Sequence, residues 1–155
     1  MKHLLNFKNI EKQELEKLID TTLKIETNNS EKINSYALMK FDEGSTRTRL
    51  SFSLAAKKLG IEIVEITDLI SAKSKGEDLQ HEIETYKALG IEILVIRTKE
   101  NNFQDYENIN DLSVISAGFG NSSHPTQAII DVATLEKFKK FNRDVPVTYV
   151  GDLKH

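Results

Sequence analysis

The sequence predicts an α/β fold, a parallel sheet with flanking helices, and three observations carry that expectation. Helix-like and strand-like patterns alternate along 155 residues, a length that suits one ordinary domain. One junction occurs twice: Lys57-Lys58-Leu59-Gly60-Ile61-Glu62-Ile63-Val64 is echoed by Lys87-Ala88-Leu89-Gly90-Ile91-Glu92-Ile93-Leu94. Each copy reads as a helix end, a glycine that accepts left-handed dihedrals, and then a strand. Two such units in tandem are how parallel βαβ topology is built. Finally, 39% hydrophobic and 29% charged residues is the profile of a soluble globular chain.

Taken in order, Asn9 is a candidate N-cap for a first helix over 10–25. Within it Leu15, Leu18, Ile19, Thr22 and Leu23 recur at helical spacing. A polar stretch over 26–32 closes it, and 36–41 reads as a buried strand. Residues 45–59 read as a helix with Leu50, Leu54, Ala55 and Leu59 on one face and Gly60 as the stop. Residues 61–66 alternate apolar and acidic, as a strand does. After the second junction, 91–96 is an apolar strand. The polar segment 101–111 reads as a loop or short irregular helix, and 112–116 as another strand. Pro125, suited to a first turn, opens a helix over 125–140. A last strand over 145–150 is followed only by Gly151-Asp152-Leu153-Lys154-His155. That is how an α/β unit opens. The expected division is therefore a domain over 1–144 and the first strand of a truncated second domain over 145–155.

Charge and composition exclude several classes of function. The 21 basic and 24 acidic side chains give a net charge of −3, which argues against nucleic-acid binding driven by bulk charge. With no cysteine, disulfides, thiolate metal sites and cysteine nucleophiles are excluded. The longest uninterrupted aliphatic runs are as short as Ile93-Leu94-Val95-Ile96, so no transmembrane helix is expected. The absence of a secretory leader and of cysteine leads to an expected cytoplasmic location.

Four segments carry candidate chemistry. Ser45-Thr46-Arg47-Thr48-Arg49 follows a strand and opens a helix. There, unpaired backbone N–H groups and the positive end of the helix dipole meet three hydroxyls and two guanidiniums, a cradle suited to phosphate. No Gly-x-x-x-x-Gly-Lys accompanies it, which argues against a nucleoside triphosphate. The same residues also fit an N-cap followed by solvated arginines. Ser71-Ala72-Lys73-Ser74-Lys75-Gly76-Glu77 reads either as a solvated basic loop, the better reading in isolation, or as an anion-binding loop. In His124-Pro125-Thr126-Gln127, Pro125 at the first helical position places His124 at the N-cap. The dipole there favours a neutral, hydrogen-bond-donating imidazole. Gln127 lies one turn on, and Gly118 and Gly120 upstream allow close backbone approach to a ligand. A purely structural histidine cap fits equally. Arg97 ends the strand 91–96, and ligands of open parallel sheets bind beyond the carboxyl ends of strands. Ser45 to Arg49, Arg97 and His124 all fall at that edge.

These residues together resemble the carbamoyltransferase family. The elements are Phe41-Asp42-Glu43-Gly44-Ser45-Thr46-Arg47-Thr48-Arg49-Leu50-Ser51-Phe52, then His124-Pro125-Thr126-Gln127 with Asp131, and then Gly151-Asp152-Leu153-Lys154. Ser71, Lys75-Gly76-Glu77 and the Gly-Asp-Leu-Lys ending are features of its aspartate-type members. Asp42, His81-Glu82 and Phe119 depart from the family's usual residues without touching a matched ligand position.

The resemblance implies a Rossmann-like, N-terminal carbamoyl-phosphate domain of a two-domain fold, assembled as a homotrimer with shared active sites. It implies carbamoyl transfer from carbamoyl phosphate to L-aspartate, in pyrimidine biosynthesis, with no metal or cofactor. Ser45, Thr46, Arg47 and Thr48 would hold the phosphate. Thr48, Arg97 and His124 would face the carbonyl oxygen, and Gln127 the amide nitrogen. Ser71 and Lys75 would reach into the adjacent subunit's site. A regulatory chain is a candidate further partner; nucleic acid and membrane are not. The family's aspartate-binding residues lie beyond His155, so this chain by itself is expected to be incomplete as an enzyme. The alternatives are an ornithine-type carbamoyltransferase and a non-catalytic phosphate-binding or assembly module.

Overall fold

The computed structural model describes residues 2–8, 10–25, 32–42, 44–66, 78–121, 123–138, 146, 148, 150 and 151. Its elements are α1 (Lys12–Lys24), β1 (Ser35–Phe41), α2 (Thr46–Leu59), β2 (Ile61–Glu65), α3 (Leu79–Ala88), β3 (Ile91–Thr98), a 3-10 turn (Phe103–Tyr106), β4 (Ser113–Phe119) and α4 (Pro125–Lys137). The four strands form one parallel sheet in the order β2-β1-β3-β4. This is the predicted α/β class.

The duplicated junction does what its glycines suggest. Gly60 and Gly90 adopt φ of 77° and 83°, left-handed values that end α2 and α3 and turn the chain into β2 and β3. At Gly60 the turn is also close: a Cβ there would come within 3.1 Å of Lys32 Cβ.

Strand alternation sorts the core onto two faces. Leu38, Leu94, Ile96 and Val114 point to one side, where they meet Ile83 and Tyr86 of α3 and Phe103 and Tyr106 of the 3-10 turn. Met39, Phe41, Val95 and Ala117 point to the other, where Phe52 of α2 packs. β3 is buried along its middle, from Leu94 to Ile96, because both faces are covered. α4 packs on β4, and α1 packs on α4.

Several expectations are corrected. The α2 face is misassigned: Leu50 and Leu54 are 57% and 52% exposed, and Ala55 is exposed. Ala56 is the buried residue and Phe52 the one packed on the sheet. Both rows are apolar, and a helix lying over one sheet buries only one of them. α1 starts after Glu11 instead of at Ile10; the expected cap, Asn9, lies outside the described residues. Tyr36, placed in a buried strand, is 48% exposed. β4 extends to Phe119 instead of stopping at Ser116, and Ala117 and Phe119 within the extension are fully buried. Pro146, Thr148 and Val150, in the last expected strand, belong to no strand, and the rest of 145–150 lies outside the described residues.

The amino-terminal segment closes the β4 edge. Leu4 forms a parallel bridge with Ile115, its N–H donating to the Val114 carbonyl while its own carbonyl accepts from Ser116 N–H, both at 2.8 Å. Leu5 is buried in the core. Among the described residues no helix is long and apolar enough to cross a membrane.

Candidate active site

The chain leaves β1 through α2 to reach β2 on one side, then crosses to β3 on β1's other side. Strand order therefore reverses at β1, and the carboxyl ends of β1 and β3 flank the place where open α/β sheets bind their ligands. Phe41 and Arg97 are register partners at that end, and the Asp42 N–H donates to the Arg97 carbonyl at 2.8 Å. The turn into α2 starts from this point.

Ser45 is the N-cap of α2, with its carbonyl accepting from Arg49 N–H at 3.0 Å. Its hydroxyl makes no capping bond, so it is not consumed by the helix. The N–H groups of Thr46, Arg47 and Thr48 have no intrahelical acceptor, and no acidic residue sits in the first turn to offset the dipole. Ser45 and Thr48 are half-buried, while Thr46 and Arg47 are exposed. Among the described residues no carboxylate pairs with Arg47.

The two arginines of this segment part company. Arg49 lies over the Phe41 ring, 5.3 Å from its centroid, and its Nη1 is 3.4 Å from Glu65 Oε2. It ties α2 to β1 and β2. The expected cradle of two guanidiniums is reduced to Arg47.

Arg97 and His124 meet at one position of β4. Arg97 registers with Gly118, and its Nη1 donates to the Ala117 carbonyl at 3.1 Å. The His124 imidazole lies on Gly118 itself. A Cβ on residue 118 would sit 2.5 Å from His124 Cε1 and 2.8 Å from Nε2. Gly118 has φ of 134°, and its N–H donates to the buried Ser116 hydroxyl at 3.2 Å. The β3–β4 register shifts just here, between Ile96 and Arg97, the kind of irregularity that re-aims side chains at a strand end.

His124 is the N-cap of α4 and makes no side-chain cap bond; its ring is turned onto Gly118 instead. The glycines serve differently from expectation. Gly118 makes room for His124, and Gly120 makes room for Asn101, whose Oδ1 would be 2.4 Å from a Cβ there. Gln127 Nε2 donates to Asp131 Oδ1 at 2.8 Å. That orients the amide and leaves the Gln127 carbonyl as the group that can accept from an –NH2. Ser71 and Lys75 lie outside the described residues.

Sequence reading missed the supports. Ser116 is fully buried and accepts from the Gly118 N–H, and a serine set among apolar strand residues is the signal that could have marked it. Lys40, Glu82 and Tyr86 form a part-buried polar cluster toward the end of β1; Lys40 and Glu82 are 42 residues apart in sequence, and only a lysine inside an apolar strand hints at the cluster. A separate cleft of about 670 Å³, lined in part by Asp78, Ile83, Lys87, Asp105 and Ile109, opens beside α3 and shares no residue with the Arg97–His124 contact region. Among the described residues no three His, Asp or Glu side chains cluster as metal ligands would.

Arginine and imidazole donors beside a helix N-terminus, at a strand-order reversal, are groups whose chemistry suits a small oxyanion. Comparison with known proteins agrees in kind. Residues 2–137 match the family described as aspartate/ornithine carbamoyltransferase, carbamoyl-P binding domain. The chain is 37% identical to an aspartate carbamoyltransferase catalytic subunit of Coxiella burnetii, over 99% of this chain and 52% of that protein. It superposes on the catalytic subunit of M. jannaschii aspartate transcarbamoylase with a TM-score of 0.77 and 35% identity, covering 90% of this chain and 48% of the other. It also superposes on a Trypanosoma cruzi aspartate transcarbamoylase in complex with carbamoyl phosphate, with a TM-score of 0.72, 25% identity, and coverage of 88% and 44%. The chain thus spans about half the length of the relatives it matches.

Proposed function

Because the chain belongs to the aspartate/ornithine carbamoyltransferase family through its carbamoyl-phosphate-binding domain, we propose that it forms the carbamoyl-phosphate half of an aspartate carbamoyltransferase site. The reaction is transfer of the carbamoyl group from carbamoyl phosphate to L-aspartate, giving N-carbamoyl-L-aspartate and phosphate, a step of pyrimidine biosynthesis. The aspartate-type assignment is preferred over the ornithine-type one because the relatives reported above are aspartate enzymes. The aspartate half belongs to the length of those relatives that this chain does not span.

The chemistry asks for positioning and charge stabilisation. The aspartate amine attacks the carbamoyl carbon, a tetrahedral oxyanion forms, and the C–O bond to phosphate breaks. Ser45, Thr46, Arg47 and Thr48 hold the phosphate, with Arg47 offsetting charge as it departs. Arg97, His124 and the Thr48 hydroxyl donate to the carbonyl oxygen as it becomes an oxyanion. Losing one such donor typically costs about 2.7–4 kcal/mol of barrier. The Gln127 carbonyl accepts from the carbamoyl –NH2. The departing phosphate takes the amine proton, so no protein base is required.

Ser71 and Lys75 reach into the site of a neighbouring subunit in a homotrimer, the assembly is cytoplasmic, and a regulatory chain is a further candidate partner. The observation that carries the reading is the meeting of Arg97 and His124 at Gly118, beside the turn into α2. Calorimetric titration with carbamoyl phosphate tests it. The chain should bind, and Arg97→Ala and His124→Ala should each weaken binding. Unchanged affinity in both variants would refute the site.

A further inference from the structure

The amino-terminal strap touches the chain before β4, within it and after it. Before the strand, the Lys2 ammonium donates to Asn110 Oδ1 at 2.8 Å, and the His3 ring meets the Ile109 carbonyl at 3.0 Å. Within the strand, Leu4 pairs with Val114 and Ser116. After it, the Leu5 carbonyl accepts from the Ser123 hydroxyl at 3.4 Å, while the Leu5 side chain is buried in the core.

Two of these contacts lead to the His124 ring. In the first, the Leu4 carbonyl accepts from Ser116 N–H at 2.8 Å. The Ser116 hydroxyl then accepts from Gly118 N–H at 3.2 Å, and Gly118 is the residue on which the imidazole lies. Ser116 is fully buried, where a hydroxyl is costly unless it is bonded. Its bond goes to the glycine whose φ is 134°. In the second, Ser123 closes the turn after β4. Its carbonyl accepts from Phe119 N–H at 3.4 Å, its hydroxyl is engaged by Leu5, and His124 is the next residue. The first route places the backbone beneath the ring. The second places the backbone from which the ring projects.

We infer that Ser116 and Ser123 are positioning residues for His124 in carbamoyl-phosphate binding, with the amino-terminal strap as their common anchor. This role rests on the site proposed above. Neither serine is assigned a contact with substrate; each acts through the imidazole.

The test is calorimetric titration of carbamoyl phosphate into the full chain and into Ser116→Ala, Ser123→Ala, His124→Ala and each serine variant combined with His124→Ala. Thermal unfolding and NMR spectra of the histidine rings accompany it. Each serine variant should bind about three- to tenfold more weakly, the worth of one neutral hydrogen bond, and should shift the His124 ring resonances. Added to His124→Ala, neither serine substitution should weaken binding further, because residues acting through one another are not additive. Ser123→Thr, which keeps the hydroxyl, should hold the parent's affinity. Ser116→Cys and Ser123→Cys, similar in size and weak in hydrogen bonding, make the same comparison if an alanine variant does not fold. A lowered unfolding midpoint with parent-like affinity and unmoved His124 resonances is what a merely structural role gives, and it overturns the inference. Losses fully additive with that of His124→Ala do the same. Weakened binding in His124→Ala beside indifferent serine variants sinks the positioning role alone, whereas parent-like binding in His124→Ala removes the imidazole from the site and this role with it.

Discussion

The His124 imidazole fills the space that a side chain on Gly118 would need. The closest approach would be 2.5 Å, to Cε1, on a residue whose φ is 134°. Two requirements thus fall on one glycine: a backbone conformation that L residues rarely adopt, and an empty pocket for a ring. The ring is held where Arg97 also arrives, since Arg97 is the register partner of Gly118.

Gly118→Ala should therefore damage both fold and site. The backbone strain alone is worth about 1–3 kcal/mol, and the methyl must displace the imidazole. The expected outcome is a lowered unfolding midpoint together with loss of carbamoyl-phosphate binding. A variant that binds normally, or a crystal structure of it with His124 unmoved, would contradict this account.

Arg47 and Arg49 should separate cleanly on mutation. Arg47 is exposed with no carboxylate partner among the described residues, so Arg47→Ala should change stability by less than about 0.5 kcal/mol while abolishing binding. Arg49 holds Glu65 and lies over Phe41. Both groups of the ion pair are more than a third exposed, so the pair contributes modestly. Arg49→Ala should cost on the order of 1 kcal/mol with its ring contact included, with binding largely retained. Denaturant titration and calorimetry of the two variants decide the matter, and equal binding losses would mean that both arginines reach the ligand.

How much of this was readable beforehand follows from the range of the interactions. Local signals worked: Gly60 and Gly90 were visible as helix stops because a positive φ is a single-residue demand. Pro125 marked the start of α4 for the same kind of reason. The two apolar rows of α2 could not be ranked, because which row faces inward depends on the sheet and not on the helix. Leu50 and Leu54 lost to Phe52 and Ala56 for that reason. The Lys40–Glu82 pair joins two elements through tertiary structure, and β4 ran on through Gly118 because its last residues are buried and paired with β3, which composition did not reveal. That Arg97 and His124 fall at the same edge of the sheet was legible, while Ser116, which accepts from Gly118 N–H between them, was not.

The buried pair also makes a stability prediction. Lys40→Met alone strands the Glu82 carboxylate at 15% exposure. Removing one partner of a buried pair costs about 3–5 kcal/mol, while replacing both is often close to neutral. Lys40→Met should thus unfold far more easily than Lys40→Met/Glu82→Gln, in which the charge is gone and Tyr86 retains an acceptor. Equal unfolding midpoints for the two would show that water already solvates Glu82.

His3 makes stability depend on pH near neutrality. Its Nδ1 accepts from Val114 N–H at 3.1 Å, and its Nε2 meets the Ile109 carbonyl at 3.0 Å, so Nε2 carries the proton and the ring is neutral. Burial lowers its pKa from 6.5, opposed by the bond to Ile109 and helped by the charge of Lys2. The unfolded chain thus binds a proton that the folded chain rejects, and stability increases with pH across that window. The contribution is complete above about pH 6.5, the unfolded value, and is lost as pH falls through the lower folded value. Protonation of Nδ1 removes the acceptor for Val114 and loosens the segment that covers the β4 edge. Denaturant unfolding of the parent and of His3→Gln between about pH 7.5 and 5.5, above the ordinary carboxylate range, isolates the effect. The parent should lose stability toward pH 5.5 more steeply than the variant, and parallel curves would exclude His3 as the titrating group.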